Sequence, residues 1–456
     1  MKKIIITLFF LTLQLQAFSQ CWRSLGSGSE FSVGIKMDGT LWSWGLNSSG
    51  QLGLGLFGGT VTTPTQIGTE TSWKELSAGG KFVLALKNDG SLWAWGSNEY
   101  GALGDNTLAN KNVPTKIGTA NNWAKIFAGP RNSFAIKTDG TLWSWGDNGY
   151  LQLGQIPSNY KVPTKVGLST DWSYIDAGVN YTAGLKTDGT LWTWGYNNYG
   201  QLGDNSAYNV SRYTPTQVGT DVWVSIGAGS TSLYGIKPDG TMWATGNNYS
   251  GQLGVGMPSG NYGTKVFLQI GTDTDWQSVY GGGDYAKAIK TNGFQYAWGI
   301  NGGQFGGGGT GITNVPIQIG TATWQYIVQT PSLTCLNVKT DGSLWGSGWG
   351  SSGQLGQGNY NDYSLMVEIA CPGGLGFSDF TDEQEVYVYP NPADDILYMH
   401  YPEASNALIT IKDMTGKTVL QCSDCKSLSV SELPTGVYLV TLSTNNATSH
   451  SRFLKK

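Results

Sequence analysis

KTDGTLWSWG, residues 137–146, decides the fold, because the chain keeps repeating it. It reads KMDGTLWSWG at 36–45, KNDGSLWAWG at 87–96 and KTDGTLWTWG at 186–195. Looser copies are KPDGTMWATG at 237–246, KTNGFQYAWG at 290–299 and KTDGSLWGSG at 339–348. The turn acid falls at Asp38, Asp89, Asp139, Asp188, Asp239 and Asp341, with Asn292 in the sixth copy, at intervals of 49 to 53 residues. A period in this range marks a repeat architecture.

The second copy shows the plan around the phrase. WKELSAG (73–79) reads as a first strand and FVLALK (82–87) as a second, apolar in its middle. The Asp-Gly pair makes a tight hairpin turn suited to positive φ angles. SLWAWG (91–96) is a third strand, and a long loop leads to a short fourth in PTKIG (114–118). Sixty-seven glycines, 19 tryptophans and only 13% charged residues suit short strands and turns, not helices. Four antiparallel strands in about fifty residues make one propeller blade, and a closed ring of blades removes most exposed sheet edges. The expected fold is all-β: a seven-bladed β-propeller followed by a small C-terminal β-sandwich. In W-x-W the two indoles leave one face of the strand, so Trp42/Trp44, Trp93/Trp95, Trp143/Trp145 and Trp192/Trp194 are read as packing between blades.

DGTLWSWGLNSSGQLG (38–53), DGTLWTWGYNNYGQLG (188–203) and DGSLWGSGWGSSGQLG (341–356) resemble the repeat of the regulator of chromosome condensation family across residues 22–370. The resemblance implies a seven-bladed propeller and no single activity, since the family includes nucleotide-exchange factors, ubiquitin-ligase domains and secreted bacterial inhibitors. The sixth copy departs most, with Asn292 and the loop NGGQFGGGG.

The ends differ from the middle. Residues 1–19 read as a secretory signal peptide: Lys2 and Lys3, an apolar run from Ile4 to Leu13, then Ala17-Phe18-Ser19 as a cleavage site. An acylated Cys21 is the less favoured reading, because Gln20 before it is bulky. The propeller then spans 20–371, a glycine-rich then acidic linker 372–385, and a tail 386–456 of alternating strands. The tail resembles the C-terminal sorting domain of type IX secretion substrates of Bacteroidota in Pro390, Asn391 and Pro392, in DMTGK with Gly416 and Lys417, in Gly436 and Tyr438, and in the basic end Lys455-Lys456. That implies the type IX machinery as a partner, and a product secreted or attached to the outer cell surface.

Five cysteines are present, and export permits disulfides. A Cys21–Cys371 bridge would clasp the ends of the repeats, Cys422 and Cys425 could form a tight hairpin bridge, and Cys335 reads as a buried thiol. The formal charge of −4 becomes −6 when Lys2 and Lys3 are removed, which argues against nucleic acid. No apolar run of transmembrane length lies in the mature chain.

The only histidines are His400 and His450, both in the tail. That excludes His-dependent nucleophilic catalysis and His-ligated metal from the propeller. No enzyme activity, cofactor or metal is expected. Asp105-Asn106 and Asp204-Asn205 could touch calcium but lack a twelve-residue calcium loop. Lys36, Lys87, Lys137, Lys186, Lys237, Lys290 and Lys339 could form an anion-binding ring; the plainer reading lays each stem on apolar surface with its ammonium near the turn acid two residues later.

Positions alike in all copies serve the frame, and positions that differ are free for a partner. If the first strand runs upward, the first-to-second and third-to-fourth loops share the top. There stand Glu30, Lys81, Arg131, Asn180, Thr231, Asp284 and Leu333, with almost no two alike, and Tyr100, Tyr150, Tyr199 and Tyr249 in the long loops. Tyrosine supplies rigid contact area with a polar tip. The expectation is a non-catalytic module binding an extracellular protein or polysaccharide. The alternatives are an enzyme inhibitor and a glycan-active enzyme using paired acids such as Glu30 and Asp284.

Overall fold

A computed structural model of the chain describes residues 21–328, 332–372, 387–389, 393, 395–400, 407–413, 416–443 and 448–455. The signal peptide, nearly all of the linker, and Pro390, Asn391, Pro392 and Lys456 of the sorting signal lie outside these residues. The chain divides into two compact units, Met1–Gly374 and Leu375–Lys456.

The first unit is seven blades of four antiparallel strands, with no helix among the described residues. In the second blade the strands are Trp73–Ala78, Phe82–Lys87, Leu92–Gly96 and Lys111–Lys116, so the fourth begins earlier than its PTKIG signal suggests. The first strands line a central channel. The second strands are buried up to their closing lysine, and Phe82–Lys87 is buried at every position. Blades six and seven share one long strand, Gly311–Val328, and the fourth strand of blade four, Arg212–Val222, also runs on toward the next blade. The spacing explains both: from the last apolar residue of one blade to the first Trp of the next is six residues at Ile67–Trp73, but five at Val218–Trp223 and Ile319–Trp324. One residue fewer pulls the connection into extended backbone.

The turns differ from the expected two-residue type. Positive φ falls on the glycine alone, as at Gly140 (+76°), and not on the Asp. Gly140 N–H bonds the Lys137 carbonyl (2.9 Å) and Lys137 N–H the Thr141 carbonyl (3.0 Å), a three-residue loop closed by a glycine bulge. The Asp has other work. Asp139 Oδ1 accepts the Thr141 N–H (3.0 Å) and its Oγ1–H (2.6 Å), and that Oγ1 accepts Trp143 Nε1–H (3.0 Å). The same relay recurs at Asp38, Asp89, Asp188, Asp239 and Asp341. Asn292 makes only the backbone bond, to Phe294.

The second Trp of each phrase ties blades together. Trp95 Nε1–H donates to Gln51 O (3.0 Å), Trp145 to Ala102 O (2.8 Å), Trp194 to Gln152 O (2.8 Å) and Trp298 to Gln252 O (2.7 Å), each in the preceding blade. Trp44 donates to Gln354 O of blade seven (2.9 Å), which closes the ring. Where the Trp is replaced, a hydroxyl still bonds the preceding blade, Ser347 at the equivalent carbonyl of Gln304 and Thr245 one residue away, at Gly200 O. One residue before the first strand and two beyond the last, Cys21 and Cys371 are joined (Cα–Cα 5.9 Å), so the sulfur of Cys21 is not available for acylation.

The lysines correct the expectation. All seven lie over the aromatic rings, Lys87 3.6 Å from Trp93 and Lys339 3.4 Å from Trp345. Of the turn acids only Asp38 pairs with its lysine, Lys36, at 3.8 Å. Glu70, Asp171, Asp221 and Asp273, in the connections between blades, take Lys87, Lys186, Lys237 and Lys290. The turn acid is engaged by Thr or Ser, which leaves the lysine to the indoles. The ammoniums are therefore clamped and do not form an open anion ring.

The second unit has a sheet of three strands (Tyr387–Tyr389, Ile396–His400, Ser427–Ser429) and a sheet of four (Leu408–Lys412, Thr418–Ser423, Gly436–Ser443, Thr448–Lys455). Leu397, Met399, Ile409, Ile411, Val440 and Leu442 share its core. Gly416 takes a left-handed turn (φ +86°), Lys417 N–H bonds Asp413 Oδ1, Tyr438 O–H bonds Pro434 O (2.8 Å), and Gly436 pairs across the sheet with Lys455. Cys422 and Cys425 are bridged.

Candidate binding surface

Each top-ring residue has its backbone fixed in the same way, whatever its side chain does. The carbonyls of Glu30, Lys81, Arg131, Asn180, Thr231, Asp284 and Leu333 each accept the N–H that follows the glycine ending the third strand, at 2.8 to 3.1 Å. That glycine is obligatory: at Gly96 φ is +103°, and a Cβ would sit 2.5 Å from Lys81 O. The frame is thus uniform while the side chains vary.

The structure gathers some of these side chains and separates others. Arg131 lies over the ring of Tyr100 from the preceding blade, 4.9 Å from its centroid. Tyr150, 47% exposed, meets Tyr196 edge-on at 5.2 Å, and the phenols of Tyr150 and Tyr199 both act on Tyr196, whose own phenol is pushed up chiefly by burial. Tyr196 was not among the expected residues. It stands just after the WTWG phrase, where other copies carry Leu46, Ser97 and Asp147, so its variability was the available signal. Lys81 is exposed, Asn180 half-buried, and Thr231 accepts from Asn247 Nδ2 (3.2 Å). Tyr249, 68% exposed, stands in the next blade's loop. Glu30 accepts from Ser352 in blade seven and Asp284 from Gln252 in blade five, each held to a different neighbour. No Glu30–Asp284 pair forms among the described residues, and this pair gives the paired-acid reading no support.

At the two calcium-like loops a basic side chain stands beside the carboxylate. Lys111 Nζ is 3.2 Å from Asp105 Oδ2, and Arg212 Nη2 3.1 Å from Asp204 Oδ2, while Thr107 and Ser206 occupy the Oδ1 atoms. No cluster of three metal-ligating side chains occurs among the described residues. Cys335 is a buried thiol.

A second surface escaped the sequence reading. The channel has a volume of about 270 Å³ and is lined by Phe127, Tyr174, Asp176, Tyr280 and Tyr326 together with small and aliphatic residues. These residues are, counted from the Trp that opens each first strand, the third and fifth positions. The copies there read Ser24, Glu75, Lys125, Tyr174, Ser225, Ser278 and Tyr326, then Gly26, Ser77, Phe127, Asp176, Gly227, Tyr280 and Val328. They are as varied as the top ring, inside a strand rather than a loop.

Residues 38–86, 89–136, 139–185 and 188–233 match the family described as Regulator of chromosome condensation (RCC1) repeat, and 387–456 match the Secretion system C-terminal sorting domain. The chain carries RCC1 repeats and a type IX sorting tail. The sorting domain directs export by type IX secretion to the cell surface or the extracellular space. The RCC1 domain-containing protein RUG3, mitochondrial, of Arabidopsis thaliana is 33% identical over 91 residues, 20% of this chain and 20% of that protein. The ultraviolet-B receptor UVR8 of the same plant is 34% identical over 83 residues, 18% and 19% of the two chains. The matches thus span about a fifth of these relatives. Among solved structures, human WBSCR16 superposes with a TM-score of 0.65 at 18% identity (73% of this chain, 94% of that one). Prp20p of Saccharomyces cerevisiae gives 0.65 at 20% (77% and 88%). At these identities the likeness is one of fold, and it extends over the looser RCC1 copies as well. No helix among the described residues is long and apolar enough to cross a membrane.

Proposed function

We propose that this exported RCC1-repeat propeller is a non-catalytic binding module, and that its upper loops recognise an extracellular polysaccharide or protein. The observation that carries the reading is the aromatic group Tyr150, Tyr196 and Tyr199 beside the Arg131–Tyr100 pair, on the face where the copies differ. Flat rings at a surface with amide and guanidinium neighbours suit both sugar stacking and protein contact. Loops held on a rigid frame are the usual seat of recognition.

The test is to present the purified chain to a glycan array and, in parallel, to secreted and surface proteins in a pull-down. A second sample carries Tyr100→Ala, Tyr150→Ala and Tyr199→Ala. Binding by the first and not the second supports the reading and names the ligand class. Binding retained by the triple variant moves the site elsewhere, and silence from the intact chain sinks the module reading.

A further inference from the structure

We propose that the central channel is a second binding site, independent of the upper loops, for a small organic cation of the quaternary ammonium class.

Among the described residues that line the channel, Asp176 is the one acid and there is no base. Asp176 is 8% exposed and is held in place by two backbone donors, Ala177 N–H to Oδ1 (2.9 Å) and Ala228 N–H of the next blade to Oδ2 (2.8 Å). Arg23 and Lys74 stand one residue after the opening Trp, and Glu75 and Lys125 two residues after it, at the register of Tyr174 and Tyr326; none of the four is among the residues that line the channel. Lys125 donates to the Ser173 carbonyl (2.7 Å) and so is directed to the neighbouring strand.

The second component is aromatic. Phe127, Tyr174, Tyr280 and Tyr326 come from blades three, four, six and seven and face the same space as Asp176. Phe127 braces Tyr174 edge-on, 5.3 Å between centroids. Tyr174 is enclosed by protein yet keeps 38% of its surface accessible, because what it faces is the channel. Burial, and then the charge of Asp176, pushes the Tyr174 phenol well above its ordinary range, burial likewise pushes up that of Tyr280, and Tyr326 is pushed up to about 12. The three rings therefore stay neutral at physiological pH and offer their ring quadrupoles. Aromatic faces around one buried carboxylate, with no competing base, favour a soft, weakly hydrated cation over a sugar or an anion. A volume of about 270 Å³ has room for a guest of the size of choline.

Calorimetric titration of the purified chain with tetramethylammonium, choline and 3,3-dimethylbutan-1-ol, the neutral isostere of choline, tests this. The expected result is saturable binding of both cations, with the alcohol weaker by about tenfold or more. Tyr280→Leu and Tyr326→Leu should each weaken choline several-fold, and Asp176→Asn by about tenfold. Near-UV circular dichroism checks that each variant is folded. Should Asp176→Asn not fold, the two tyrosine variants decide alone. The triple tyrosine variant of the upper loops should bind choline unchanged, so failure here and failure of the upper-loop reading are separable. Equal binding of the neutral alcohol, choline binding indifferent to Tyr280→Leu and Tyr326→Leu, or no saturable binding would each overturn the proposal.

Discussion

Blades three and six are built on the same phrase and keep different parts of it. Blade three has the full turn relay from Asp139 through Thr141 to Trp143, whereas blade six has Asn292, Phe294 and Tyr296 and a single backbone bond. Blade three's second strand, Asn132–Lys137, carries no charge before its closing lysine; blade six buries Lys287, 1% exposed, whose Nζ reaches the Phe305 carbonyl at 3.4 Å. Two features survive in both. Trp145 and Trp298 each bond the preceding blade, and Lys137 and Lys290 each lie over two rings. The connection to the neighbour is what blade six retains; the chemistry local to its own turn is what it has lost.

That contrast can be broken where it is strongest. Trp145→Ala and Trp298→Ala should cost the same, about 3–5 kcal/mol each, read by chemical denaturation. A loss confined to Trp145 would mean that blade six has ceased to be part of the ring's cooperative unit. Lys287→Met should act in the opposite direction. Burial pushes the amine's pKa down, and an apolar chain of similar length should stabilise the protein by about 1–3 kcal/mol.

The turn relay sharpens the comparison on a smaller scale. Thr141→Val keeps the shape and removes the hydroxyl, at a cost of about 1 kcal/mol. The paired substitution Asn292→Asp with Phe294→Thr should recover part of a relay in blade six and leave stability equal or slightly higher. The smallest effect is in pH. The Thr141 hydroxyl and N–H hold Asp139 below the usual carboxylate range, so its contribution is present above the unfolded value near 4 and is lost as pH falls through the folded one. Asp139→Asn should therefore differ from the parent at pH 7, with a gap that narrows as the solution is acidified below about pH 4. Asn292 contributes nothing of this kind, and Asn292→Gln should show no such pH dependence.

Much of the fold was legible because period and residue type agree: seven phrases, apolar second strands, and two cysteines at the ends of the repeats. The lysine contacts were misread because sequence proximity favours the acid two residues away. In the structure the Thr or Ser two residues beyond the acid claims it, and the ammonium turns to Trp93 or Trp345 and to acids such as Glu70 seventeen residues earlier. The fused strand Gly311–Val328 hung on a connection one residue short, a signal that period counting overlooks. The top ring was readable as variation in a loop. The channel was not, because Tyr174 and Tyr280 sit in strands, where an aromatic residue reads as ordinary packing.

The bond between Cys21 and Cys371, 350 residues apart, changes what a cut does to this molecule. Between those two sulfurs the backbone is a covalent circle. A protease that opens one exposed loop of the ring converts the circle into a line with both pieces still attached, and the seven blades keep their neighbours. Two cuts are needed to release a fragment. A cut beyond Cys371 frees the tail from an intact circle, so the tail can be lost without any blade acquiring a free end.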